Sequence, residues 1–212
     1  MQEVTLTQSI GIATTEVTQA QWISVMRRLP RNFNKNSHAT GDNFPIHSLT
    51  WSEATDFCKK LSEIDTPNIY RLPTEAEWEI ACRAGNNSPY SNNRDTLRIT
   101  EANFFDTNSD QTLDAATTVA SYAPNAWGLY DMHGNLWEWT GDWSGEYSKI
   151  QTVNPASPNN DSETDINLRT RILRGGSYYD EVEAARSGNR WQYAPSIATD
   201  YIGFRIVKEH TL

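Results

Sequence analysis

The stretch Gly128-Leu-Tyr-Asp-Met-His-Gly-Asn-Leu-Trp-Glu-Trp-Thr-Gly-Asp-Trp143 decides how the rest of the chain is read. It sets Trp137, Trp139 and Trp143 beside Asp131, Asn135, Glu138 and Asp142. Trp137 and Trp139 stand two apart, so in an extended segment both rings leave the same face. Rings of that size anchor a core without a long helix. Gly134-Asn135 and Gly141-Asp142 are turn dipeptides on either side. Two readings of the stretch stand side by side. One is a tryptophan-rich core hairpin with polar turns. The other is a turn whose carbonyls and Glu138 carboxylate offer the hard oxygen ligands that calcium takes.

Outward from this stretch, composition narrows the classes. The chain has 212 residues, 37% hydrophobic and 21% charged, with eight tryptophans, nine tyrosines and six phenylalanines. That is a globular chain with room for a sizeable aromatic core. The net charge of -9, with no basic run longer than Arg27-Arg28, argues against binding a phosphate backbone. No window approaches the 18 apolar residues of a membrane span. No basic segment and apolar run follow Met1, so no secretory leader is expected. Taken at face value the chain is cytoplasmic, and at the cell surface if a leader or anchor has been removed. The two cysteines, Cys58 and Cys82, sit in helical-looking segments and read as buried small hydrophobes. His38, His47, His133 and His210 are scattered, which excludes the usual zinc and iron spacings.

Local patterns place the elements. Residues Glu3 to Thr14 largely alternate apolar and polar, as a strand or hairpin does. Thr18 with Gln21 forms a capping box for a helix over Gln19 to Leu29. Pro30 to Pro45 reads as a surface loop. Ser52 is the expected cap of a second helix, with Ala54, Phe57, Cys58, Leu61 and Ile64 at helical spacing. Tyr70 to Leu72 is a short strand. Thr74 with Glu77 caps a third helix that Gly85 stops. Glu75, Glu77 and Glu79 suit the helix dipole as a solvated first turn. Asn86 to Ala120 is a long loop region, and Tyr147 to Asn167 a second polar insertion. Arg171 to Tyr178 is a strand ending in a glycine turn, and Ala184 to Tyr193 is a short strand or irregular. Tyr201 to Val207 is a closing strand, expected to pair with the N-terminal one. With no repeat and no linker, residues 1–212 read as one α+β domain of short strands, two or three helices and long loops.

Five motifs occur in order: Thr15-Glu-Val-Thr-Gln-Ala-Gln-Trp22, Arg71-Leu-Pro-Thr-Glu-Ala-Glu-Trp78, Gly128 to Trp139, Arg174-Gly-Gly-Ser177 and Ile202-Gly-Phe-Arg205. Together they resemble the formylglycine-generating enzyme (sulfatase-modifying factor) family, over nearly the whole chain. The resemblance implies a C-type-lectin-like fold: twisted antiparallel sheets, flanking helices and long loops. It also implies structural calcium, at Asn135, Leu136 and Glu138, and at a second site with Asn103, Phe104 and an aspartate such as Asp110. The oxidase members carry two redox cysteines just past the Arg174 motif, which bind copper and the substrate thiol. Tyr178 to Arg190 contains no cysteine here; Asp180 and Ala185 stand roughly in their place. A carboxylate or methyl group cannot replace the soft thiolates that select Cu(I), so no copper is expected. The histidine triad of the iron-dependent relatives is absent as well.

Residues 174–205 also resemble the variable region of diversity-generating retroelement target proteins, which display diversified side chains on a C-type-lectin-like backbone. Between its framework pieces lie Tyr178, Tyr179, Asp180, Glu181, Glu183, Trp191, Gln192, Tyr193, Thr199, Asp200 and Tyr201. Aromatic rings among short polar residues are the composition of a binding surface for a protein or other macromolecule. The leading expectation is therefore a non-catalytic binding module. It requires Tyr178, Tyr179, Trp191, Tyr193 and Tyr201 to reach one exposed face. One alternative is an enzyme using Asp180, Glu181 and Glu183 with Arg186 and Arg190. Another is a sensor domain of a longer protein, such as one attached to a kinase.

Overall fold

A computed structural model describes residues 4–35, 38–110, 112–146, 153–155 and 169–209. Most of the Tyr147–Asn167 insertion lies outside the described residues. Three helices, α1 (Gln19–Met26), α2 (Trp51–Ile64) and α3 (Glu75–Arg83), pack with two small sheets. One sheet has the order β1-β7-β2, from Ile10–Ile12, Val207–Glu209 and Ile69–Arg71. The other has the order β5-β4-β3-β6, from Trp191–Tyr193, Arg171–Arg174, Trp137–Trp143 and Ile202–Gly203. All pairings are antiparallel except β3 with β6, which is parallel and sets Trp137 beside Ile202. The expected closing strand is thus two strands. β6 joins the tryptophan sheet, and β7 crosses to pair with β1, Ile12 opposite Val207. Among the described residues no helix is long and apolar enough to cross a membrane.

The helix starts follow from their caps. Thr18 and Thr74 each accept from the backbone N–H three residues on, and Gln21 and Glu77 reach back to the cap N–H. The second helix begins at Trp51, with Thr50 and Glu53 as its box, which corrects the choice of Ser52. α1 ends at Met26, not Leu29: Arg27 is left-handed at φ 62°, and the Trp22 indole donates to the Arg28 carbonyl at 2.7 Å, holding that residue out of the helix. Ile64, expected on the apolar face of α2, is exposed.

The main core gathers Trp22, Phe57, Trp137, Trp139, Leu173 and Phe204. Trp22 stacks on Phe57 at 5.5 Å and meets Phe204 edge-on at 6.1 Å, geometries that suit the ring quadrupoles. Trp137 and Trp139 both enter this core, as their spacing requires. Trp143 reaches the sheet's other end, where the Arg171 guanidinium lies between its ring and that of Trp51, 3.4 and 3.7 Å from the centroids. The glutamates of α3 are not solvated. Glu75 and Glu77 are 6% and 8% exposed. Arg190 grips Glu75 at 2.5 and 2.9 Å, Arg71 grips Glu77 at 2.7 Å, and Glu79 pairs with Arg83 and Arg174.

Candidate functional site

The Arg174-Gly-Gly-Ser177 turn sets the C-terminal surface in place. The Arg174 side chain is fully buried, donating to Glu79 and to the carbonyls of Ser187 and Asn189. Gly176, at φ 76°, sits so close to the one-turn 3-10 helix Val182–Ala185 that a Cβ would lie 2.9 Å from Ala185 backbone atoms. The chain then turns at Ser177. Asp180 accepts from the Trp137 indole at 2.8 Å and from the Ser177 hydroxyl, and its carbonyl takes the Phe105 N–H at 2.8 Å. The backbone beneath the surface is thereby tied to β3, α3 and the 103–105 loop.

On this frame four aromatic rings make a continuous strip. Tyr179, 71% exposed, stacks on Tyr201 at 5.9 Å with the planes 15° apart. The Tyr201 hydroxyl meets that of Tyr193 at 3.4 Å, and Tyr193 meets Trp191, 51% exposed, edge-on at 6.4 Å. Tyr193 and Tyr201 are half-buried and pack on the main core. Asp200, Glu181, Glu183 and Gln192 are exposed, and Thr199 is half-buried. Tyr178 is the correction. It is 7% exposed and packs with Ala39, Ala116 and Leu136, because its N–H bonds to the Asn135 carbonyl at 3.0 Å and turns the ring inward. Burial pushes its hydroxyl well above the usual tyrosine range, helped by the Asp200 carboxylate beside it. Burial likewise pushes Tyr201 to about 12, so both phenols are neutral donors at physiological pH.

The acid–base alternative does not assemble. Asp180 holds the Trp137 indole, Arg190 is clasped by Glu75, Glu183 is exposed, and Arg186 meets the Tyr90 hydroxyl. Both thiols are free and buried. Burial pushes Cys58 up to about 12. For Cys82 burial acts upward, but His133, with a ring nitrogen 3.8 Å away, together with Ser187 and Arg174, outweighs it and lowers the thiol.

On the face of the sheet opposite Trp139 and Leu173 lies a buried charge cluster whose pairing sequence reading missed. Glu138 gives both oxygens to Arg205, at 2.7 Å each, and one of them also to the Trp78 indole at 2.8 Å. Asn135 accepts from the Thr117 N–H at 2.9 Å and from Asn103, and donates to Glu16 at 2.9 Å. The Asn103 carbonyl takes the Asn135 N–H. Glu16, Asp131 and Glu138 all act on the Arg205 cation. Of the expected calcium ligands, Glu138 and the Asn135 side-chain oxygen are therefore already engaged by protein donors, where calcium takes free oxygens. Asn135 and Asn103 are brought together: the Asn135 side-chain oxygen is taken by Thr117 and by the Asn103 amide, which also donates to the Ala115 carbonyl. Leu136 and Phe104 are buried in the fold, and Asp110 is exposed. Calcium does not fit Glu138 as placed, because the guanidinium fills the cation's role. Among the described residues no group of three or more His, Cys, Asp or Glu is arranged to hold a metal. The signal for this cluster was in the motifs: Glu16 and Arg205 each lie inside one.

Burial and the neighbouring Asp131 and Glu138 raise Glu16 well above the carboxylate range; burial also raises Asp131. A carboxyl raised on folding contributes stability that is fully present below its unfolded value, about 4.5, and lost as pH rises through its folded value. The thermal midpoint of Glu16→Gln should accordingly exceed that of the parent at pH 8 by about 2–4 °C, the equivalent of about 1 kcal/mol in a domain of this size. At pH 5 the gap should close. A gap that widens on acidification would refute the raised carboxyl.

Comparison with known proteins adds three findings. The model of the family described as "Sulfatase-modifying factor enzyme 1-like domain" matches residues 1–210. The chain is 34% identical over 165 residues, 77% of its length, to the serine/threonine-protein kinase pkn1 of Chlamydia pneumoniae. It is 30% identical over 181 residues, 79% of its length, to the formylglycine-generating enzyme of Mus musculus. It spans 24% of the first relative and 45% of the second. Among solved structures, Treponema denticola variable protein 1 superposes with a TM-score of 0.78 at 25% identity, covering 98% of this chain and 86% of that one.

Proposed function

This chain belongs to the sulfatase-modifying factor enzyme 1-like domain family, and we propose that it uses the family scaffold to hold a ligand and not to oxidise one. The observation that carries this reading is the strip Tyr179–Tyr201–Tyr193–Trp191 on a backbone pinned from below. Rigid rings present contact area at low entropic cost, and an interface concentrates its energy in such residues. The likeness to a variable protein supports a diversified segment over 174–205. The missing thiols past Ser177 support the loss of copper chemistry.

A phage-displayed peptide library panned on the chain tests the strip. Selected peptides should lose about tenfold or more in affinity on Tyr179→Ala/Trp191→Ala, while the variant keeps its stability within about 0.5 kcal/mol because both rings are exposed. A pool that binds parent and variant alike would remove the strip from the site. Incubation with Cu(I) and a cysteine-containing peptide should yield no aldehyde; turnover would restore the oxidase reading.

The kinase likeness favours a second setting for the same surface, as the sensing part of a longer protein. The length of the natural product in a cell lysate, read by immunoblot, separates the two settings.

A further inference from the structure

We propose that the strip recognises a cationic segment of a partner protein, with an arginine or lysine side chain laid on the Tyr179–Tyr201 pair between the Asp180 and Asp200 carboxylates. The inference rests on the binding reading above and specifies its ligand chemistry. Tyr179 and Tyr201 are stacked nearly parallel, which leaves the outer face of Tyr179 free, at 71% exposure, to receive a cation. Asp200 is exposed and lies against the Tyr178 hydroxyl, one residue before Tyr201. Asp180 follows Tyr179 in the chain and acts electrostatically on Tyr201.

Among the described residues, the ion pairs of the segment's arginines do not involve Asp180 or Asp200. The Arg190 guanidinium is held by Glu75 and reaches the Gly145 carbonyl, and Arg186 acts on Tyr90. Asp180 is itself fixed by the uncharged Trp137 and Ser177 donors, which orient its carboxylate without cancelling its charge. An aromatic face with carboxylates nearby favours a planar guanidinium, which stacks and donates in bidentate fashion at once. The chain's net charge of -9 steers such a partner inward.

The test uses two peptides of equal length and shape, four Gly-Arg repeats and four Gly-citrulline repeats, titrated onto the whole chain with Trp fluorescence as the readout. The arginine peptide should bind about tenfold or more tighter than the citrulline one. Tyr179→Ala should weaken it about five- to tenfold and Asp200→Asn about three- to fivefold. Glu63→Gln, an exposed carboxylate at the far end of α2, should leave it unchanged. Equal binding of both peptides, weakened equally by Tyr179→Ala, would overturn the cationic ligand and leave the binding strip standing. Arginine binding that ignores Tyr179→Ala, or falls as much with Glu63→Gln as with Asp200→Asn, would reduce the effect to diffuse attraction and overturn the proposal.

Discussion

Arg205→Met is expected to cost about 3–5 kcal/mol of folding stability, the range for removing one partner of a buried ion pair. In a domain of about 200 residues that lowers the thermal midpoint by about 6–20 °C. Both side chains of the Arg205–Glu138 pair are fully shielded from solvent. Glu138 takes two contacts from the guanidinium, and Arg205 also donates to the carbonyls of Ala13 and Tyr130. Methionine fills the volume but leaves Glu16, Asp131 and Glu138 together without the Arg205 cation. One Asp131 oxygen already lacks a hydrogen-bond partner. The loss should be larger at pH 8 than at pH 5, because the raised carboxyls become charged as pH rises. Arg205→Met/Glu138→Leu should recover much of the loss, since an apolar replacement of both partners removes the stranded charge. A single variant within about 1 kcal/mol of the parent, measured by denaturant unfolding, would mean the pair holds nothing together.

Gly134→Ala should be nearly as damaging, at about 3–5 kcal/mol. Gly134 has φ 77°, and an added Cβ would lie 2.1 Å from the Asn103 carbonyl oxygen. The left-handed backbone alone accounts for about 1–2 kcal/mol. The remainder comes from displacing Asn103, whose carbonyl takes the Asn135 N–H at 2.8 Å and whose side chain holds the Ala115 carbonyl at 3.0 Å. Gly85→Ala is the matched control. Its φ is 86°, but nothing lies within 4 Å of the added carbon, so only the conformational part should appear. Equal losses in the two variants would show that close packing at Gly134 contributes nothing.

The legible parts of this fold are short in sequence range. The capping boxes at Thr18 and Thr74 could be read because both partners stand three residues apart. The same pattern at Thr50 and Glu53 was there to be found, but Ser52 competed with it as an equally good cap type. The two-residue spacing of Trp137 and Trp139 placed both rings in one core. The acidic turn of α3 was misread because its partners are remote: Arg190 lies 115 positions from Glu75, and Arg174 lies 95 from Glu79. A solvated first turn and a buried ion-pair network look alike over six residues.

The candidate site divides the same way. The resemblance to a variable region, with its aromatic and polar residues, marked residues 178–201, and the structure sorts them: Tyr179 and Trp191 face outward, while Tyr178 turns into the core one residue earlier. Composition carries no direction at a turn where the backbone leaves regular structure, so only the bond from Tyr178 N–H to the Asn135 carbonyl decides it. Glu138, an expected calcium ligand, proved to be the partner of Arg205, 67 positions away. The sequence by itself determined the family, the α+β class, the starts of α1 and α3 and the absence of thiols past Ser177. Those rest on local spacing and on ordered motifs. The tertiary structure alone decided which carboxylates are buried, which cation answers them and which rings reach solvent, because burial and charge pairing depend on segments that meet only once the chain has closed on itself.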